Sequence, residues 1–131
     1  GNKPVSDQDV YSGSIQSKNG ICLNAPEPRK NGGKLTMRSC HVGSGAQWVH
    51  DASTGSIWNL AGVCLDEFFD HNGGEVHMWK CYPALKSQQW VYDVKTGLLE
   101  NHHGFCLNAK EPLEDKSEVN TVECDPSAPG Q

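Results

Sequence analysis

Much of what would point to an enzyme, a nucleic-acid binder or a membrane protein is missing from this chain. Lysine and arginine number 11 against 16 aspartates and glutamates, a formal net charge of −5. No basic stripe exists to meet phosphates, which argues against a nucleic-acid partner. The short basic cluster of Arg29, Lys30 and Lys34 reads as a solvated loop. No apolar run approaches bilayer-spanning length, so no membrane insertion is expected. No signal peptide is visible, which reads as a mature or excised form. No segment carries the 3.6-residue period of an amphipathic helix. The chain has no Cys-x-x-Cys pair, no phosphate loop and no Gly-x-Ser-x-Gly elbow. Carboxylates are plentiful enough for glycoside hydrolysis, yet no pair stands out and no deep cleft is implied. No Asn-x-Ser/Thr sequon occurs, so N-glycosylation is not expected. No carboxylate cluster suits calcium, and no metal or other cofactor is expected.

What the chain does have is a repeat. Gly13, Gly55 and Gly97 lie 42 residues apart, as do Cys22, Cys64 and Cys106. Each of these cysteines opens one phrase: Cys22-Leu23-Asn24, Cys64-Leu65-Asp66 and Cys106-Leu107-Asn108. A second cysteine follows 17 or 18 residues later, at Cys40, Cys81 and Cys124. One supersecondary unit is therefore used three times, over approximately 10–50, 51–93 and 94–131. The 131 residues fit a single domain, here spanning 1–131. Six cysteines allow fifteen connectivities. Keeping the three units equivalent selects Cys22–Cys40, Cys64–Cys81 and Cys106–Cys124. Each bridge closes a loop of about 17 residues, worth roughly 3 kcal/mol in the chain-entropy model. Disulfides imply an oxidising compartment, hence a secreted or extracellular protein.

Each repeat reads as short strands between turns. Ile15, Ile57 and Leu99 sit in a first strand, followed by a turn at Gly20, Gly62 or Gly104. The cysteine phrase forms a second strand. Asn31-Gly32-Gly33 and Asn72-Gly73-Gly74 are strong turn signals, replaced in the third copy by Asp115-Lys116-Ser117. Leu35 and Met37, Val76 and Met78, and Val119 and Thr121 then share one face by the period of two. A last strand follows Trp48 and Trp90. About twelve strands that cannot bury their apolar faces singly must share a core. A closed barrel with a hairpin cap and pseudo-threefold symmetry fits this all-β class.

These residues resemble the ricin-B-type lectins, which are β-trefoils. The family repeat carries Cys-Leu-Asp, a second cysteine and then Gln-x-Trp. Gln88-Gln89-Trp90 matches the last motif, while Ala46-Gln47-Trp48 keeps the tryptophan and displaces the glutamine. Gln131 follows Cys124 by seven residues, as Gln88 follows Cys81. The resemblance covers roughly 10–131. It implies shallow sugar sites, typically for galactose or N-acetylgalactosamine. In such a site the Asp of Cys-Leu-Asp accepts hydroxyls. An aromatic two residues before the second cysteine stacks on the sugar.

Only the second repeat has both parts. Asp66 supplies a carboxylate, whose hydrogen bonds are about twice as strong as neutral ones. Trp79 falls on the outward face, opposite to Val76 and Met78, and offers a ring to the apolar face of a sugar. His77 shares that face. Ser87 and Gln88 fall where the family places its amide contacts. The alternative is that Asp66 caps a turn and Trp79 packs under a loop. Together at family spacing the two favour the sugar site. Phe68 and Phe69 follow Asp66, and one of them extends the site or is simply buried. In the other copies Asn24 and Asn108 replace the aspartate, Arg38 and Val122 the aromatic, and Thr36 and Asn120 the histidine. Glu27 and Glu111 lie in a phrase these two copies share, which reads as common loop geometry or as a second kind of site. His102-His103 reads as a solvated turn rather than a metal pair.

The resemblance implies a non-catalytic lectin whose partners are the glycans of glycoproteins or glycolipids. One shallow site binds weakly, so avidity would call for further sites or a homodimer. A rival reading is the carbohydrate-binding module of a larger glycosyltransferase or glycoside hydrolase. A trefoil used for protein contacts ranks last, because it leaves an outward Trp79 beside Asp66 unexplained.

Overall fold

A computed structural model describes residues 10–41, 43–68 and 72–131. Among the described residues eleven strands form: β1 Val10–Gly13, β2 Cys22–Asn24, β3 Thr36–Arg38, β4 Trp48–Asp51, β5 Ser56–Asn59, β6 Val63–Glu67, β7 Gly74–Lys80, β8 Trp90–Tyr92, β9 Leu99–Asn101, β10 Phe105–Ala109 and β11 Val119–Glu123. A 3-10 turn covers Lys86–Gln88. The expected strand through Ile15 is reduced to an isolated bridge between Gln16 and Cys22, and β1 precedes it. The third repeat contributes three strands, β9 to β11.

Antiparallel pairing runs β1-β4-β5-β6-β7-β11-β10-β9-β8, with β2–β3 as a separate hairpin. The hairpins β2–β3, β6–β7 and β10–β11 close a ring through their turns. Gly32 N–H donates to Met78 O, Gly73 N–H to Thr121 O, and Lys116 N–H to Met37 O. Those three donors hold equivalent places, and each takes a left-handed φ: 81°, 83° and 73°. Glycine adopts that conformation at no steric cost, which is why two copies use it. The residue before each turn donor also braces the next hairpin. Asn31 Oδ1 accepts from Lys80 N–H, Asn72 Oδ1 from Glu123 N–H, and Asp115 Oδ1 from Ser39 N–H. This is a β-trefoil.

The core lies where the three copies meet. Leu23, Leu65 and Leu107 are buried, and so are Leu35, Met37, Val76, Met78, Val119 and Thr121. The period-two reading of the third strand therefore holds in every repeat. A fully buried Leu or Met is worth about 1.5–3 kcal/mol. Trp48 and Trp90 are fully enclosed, and their indole N–H groups donate to Leu23 O and Leu65 O, each at 3.1 Å. The disulfides are Cys22–Cys40, Cys64–Cys81 and Cys106–Cys124, the pairing that equivalence selected. Among the described residues no helix is long and apolar enough to cross a membrane.

Candidate functional site

The β6–β7 hairpin sets Asp66 directly opposite His77, and Cys64 opposite Trp79. Strand alternation sends Val76 and Met78 into the core and turns His77 and Trp79 outward. Trp79 keeps 38% of its surface exposed and Phe68 keeps 58%. The three rings form an edge-on row. Phe68 and His77 have centroids 5.1 Å apart at 74°, and His77 and Trp79 lie 5.6 Å apart at 66°. Trp79 leans on the turn of repeat one, where a Cβ added at Gly32 would stand 3.5 Å from its ring.

Asp66 forms the floor and is only 5% exposed. Its Oδ2 accepts from Gln88 Nε2 at 3.3 Å and lies 3.5 Å from His77 Nε2. Its Oδ1 is buried and meets no donor among the described residues. A buried carboxylate oxygen without a partner is costly, and native proteins rarely leave one without a reason. A hydroxyl donor from outside would satisfy it.

Gln88 is fully buried. Its Oε1 accepts from Tyr82 N–H at 2.8 Å, and its Nε2 donates to Lys80 O at 2.9 Å as well as to Asp66. It therefore acts by positioning Asp66 and the chain around Cys81. Ser87 is half-buried in the 3-10 turn beside it. Phe69 lies outside the described residues. Phe68 is exposed, so this ring is not simply buried.

The first and third repeats are built differently. Asn24 is buried and its Oδ1 stands 3.2 Å from His41 Nε2. Asn108 Nδ2 donates to Asn120 Oδ1 at 3.0 Å. Both amides are thus engaged internally. The position of Ser87 is held by Gly45 and Gly130, whose carbonyls accept from Ala25 and Ala109 N–H. A Cβ there would stand 2.2 Å from Ala25 O or 2.3 Å from Ala109 O. The backbone is pressed onto the asparagines, and no polar side chain fits where Ser87 sits. Glu27 pairs with Lys30 at 3.4 Å on the surface. Glu111 is exposed before a cis bond to Pro112. Neither is hydrogen-bonded to its neighbouring asparagine.

His102 and His103 sit in the turn between β9 and β10 with ring centroids 4.9 Å apart. Among the described residues no group of three His, Cys, Asp or Glu suits a metal ion. Two carboxyls, Asp51 and Asp125, are held below the usual range by hydrogen bonds from Ser53 and Ser127, which brace surface turns.

The ricin-type β-trefoil lectin domain matches residues 11–131. The chain belongs to that family. Membership places it among carbohydrate-binding domains. No curated protein matches it. Among solved structures it is similar to the agglutinin from Abrus precatorius, at 19% identity and a TM-score of 0.79, over 95% of this chain and 48% of that one. It is similar to GalNAc-T7 solved with UDP, GalNAc and Mn2+, at 21% identity and 0.75, over 92% and 21%. The C-half of an earthworm R-type lectin in complex with GalNAc matches at 16% and 0.74, over 92% and 93%. The chain thus spans about half of the agglutinin and about a fifth of the transferase.

Sequence reasoning missed three features of the site. Gln88 supports rather than touches, Gly32 shelves Trp79, and Gly45 and Gly130 close the other two repeats. Only the last had a readable signal, since glycine stands in both asparagine copies where repeat two has serine.

Proposed function

We propose that the chain is a non-catalytic lectin domain for galactose- or N-acetylgalactosamine-bearing glycans, with one principal site in the second repeat. The observation that carries this is the buried Asp66, whose Oδ1 has no partner among the described residues, beside the outward Trp79. The carboxylate accepts sugar hydroxyls through charge-assisted bonds. Trp79 stacks on the C–H face of the ring, and Phe68 bounds the opposite side of His77. His77 helps to fix the carboxylate. Asn24 and Asn108 contribute no second site, because their amides are already engaged. The earthworm lectin solved with GalNAc supports the sugar class. Three disulfides fit a secreted or extracellular setting. A site this shallow binds at micromolar to millimolar levels, and dimerisation would raise avidity.

A second reading is a carbohydrate-binding module attached to a glycosyltransferase. The similarity to GalNAc-T7, of which this chain spans about a fifth, favours it. In that setting the same site would hold the enzyme to glycosylated substrate.

A glycan-array profile of the purified chain tests the proposal. Signal confined to galactose- or N-acetylgalactosamine-terminated glycans is expected. Signal on unrelated sugars, or none at high protein concentration, would overturn the assignment.

A further inference from the structure

One edge of the candidate site is built by a neighbouring repeat, and that edge carries charge. Three hydrogen bonds join the turn of repeat one to β7. Gly32 N–H donates to Met78 O at 2.6 Å, Met78 N–H to Gly33 O at 2.8 Å, and Lys80 N–H to Asn31 Oδ1 at 2.7 Å. The seams between the other repeats continue one step further, where Glu75 is paired with Asn120 and Glu118 with Thr36. In each pair an outward residue of one repeat stands beside the counterpart of His77 in the next. The same step at the first seam sets Lys34 beside His77. Lys34 is exposed between the buried Gly33 and Leu35, so it points outward as His77 does.

The three equivalent residues differ in charge. Glu75 and Glu118 are carboxylates, and Glu118 is held by Lys110 at 3.2 Å. Lys34 is a cation with no ion pair among the described residues. Its surroundings reverse the balance of the molecule. Residues 25–40 hold Arg29, Lys30, Lys34 and Arg38 against Glu27 alone, in a chain of 11 cations and 16 carboxylates. Glu27 is already engaged by Lys30 at 3.4 Å. The far end of the ring row is acidic instead, because Phe68 N–H donates to Glu75 O and brings the exposed Glu75 alongside. Asp66 adds a second carboxylate in the floor. A negative group on a bound sugar is therefore driven from the Phe68 end and drawn across β7 to Lys34.

We propose that Lys34 makes the site selective for galactose or N-acetylgalactosamine units that carry an anionic substituent, either a sulfate ester or the carboxylate of an attached sialic acid. The inference rests on the reading of Asp66 and Trp79 as a sugar site. Trp79 and Asp66 hold the sugar ring, and the Lys34 ammonium donates to the anionic oxygens through charge-assisted bonds. An ammonium is a point charge on a flexible stem, so it serves sulfate and carboxylate alike. Specificity is then shared between two repeats, with the ring held by the second and the charge read by the first.

The test measures Kd for two matched sets of probes: N-acetylgalactosamine against its monosulfate esters, and lactose against sialyllactose. At low ionic strength at least one acidic probe should bind about three- to fivefold tighter than its neutral partner, the range of an exposed ion pair. Added salt should shrink that preference. Lys34→Gln should bring the acidic-to-neutral ratio to about one, and Lys34→Glu should invert it, with unchanged Tm in both variants. The set that shows the preference tells sulfate from carboxylate. If neutral sugars bind but no acidic probe binds tighter, or if the preference survives in Lys34→Gln, the inference is overturned and the sugar site stands. If the parent chain binds neither neutral nor acidic sugar, the sugar site itself fails and the inference with it.

Discussion

Replacing Asp66 by asparagine separates a binding role from a structural one. The side chain is 5% exposed, holds one amide bond from Gln88 at 3.3 Å, and leaves Oδ1 without a partner among the described residues. Asparagine keeps the volume and an acceptor for Gln88 and removes the charge. A hydrogen bond to a charged group contributes about 1.5–3 kcal/mol, against about 0.5–1.5 for a neutral one. With one or two sugar hydroxyls on the carboxylate, Asp66→Asn should weaken binding by about 1.5–3 kcal/mol, or roughly ten- to a hundredfold. Stability should behave differently. The native carboxylate is desolvated without full compensation, so its neutralisation costs the fold little or stabilises it. We expect a midpoint within about 3 °C of the parent, since 1 kcal/mol shifts Tm by several degrees in a domain of this size. Isothermal titration with N-acetylgalactosamine and thermal unfolding of the same samples supply both numbers. The reasoning is refuted if Asp66→Asn binds as the parent does while its midpoint falls by 6 °C or more (about 2 kcal/mol). Asp66 would then be a turn brace that happens to lie beside a tryptophan.

Two further substitutions probe the neighbouring parts. Trp79→Ala should reduce affinity at least roughly tenfold, from the loss of ring stacking worth about 0.5–1.5 kcal/mol plus buried area. Its partial exposure makes the stability cost small, and circular dichroism melting checks that the fold survives. Gly45→Ala should destabilise the domain by about 1–3 kcal/mol, because the new Cβ would stand 2.2 Å from Ala25 O. Urea titration should show a lower midpoint for that variant, while glycan binding at repeat two is unchanged.

The fold was legible because the repeat constrains it three times over. One cysteine phrase is ambiguous, but three in register pick the disulfide pairing and the strand order together. The outward placement of Trp79 followed from Val76 and Met78, since a pleated strand leaves no other choice. The missing parts depend on contacts between repeats. Nothing local to Gly32 says that it lies against Trp79, nor does Asn31 announce that it braces Lys80 in the next hairpin. Gln88 looked like a ligand contact because the family motif names it, yet burial behind Asp66 makes it a support. Residue type alone suggested weak acceptors at Asn24 and Asn108. Only the hydrogen bonds with His41 and Asn120 show those amides engaged within the fold, Asn24 through its Oδ1 and Asn108 by donating from its Nδ2.

The most direct measurement is a residue-by-residue nuclear magnetic resonance titration with N-acetylgalactosamine. The account predicts amide shifts at Asp66, Phe68, His77, Trp79 and Ser87, with the signals of Asn24 and Asn108 unmoved. Shifts centred on Asn24 or Asn108, or an unchanged spectrum at saturating sugar, would contradict it.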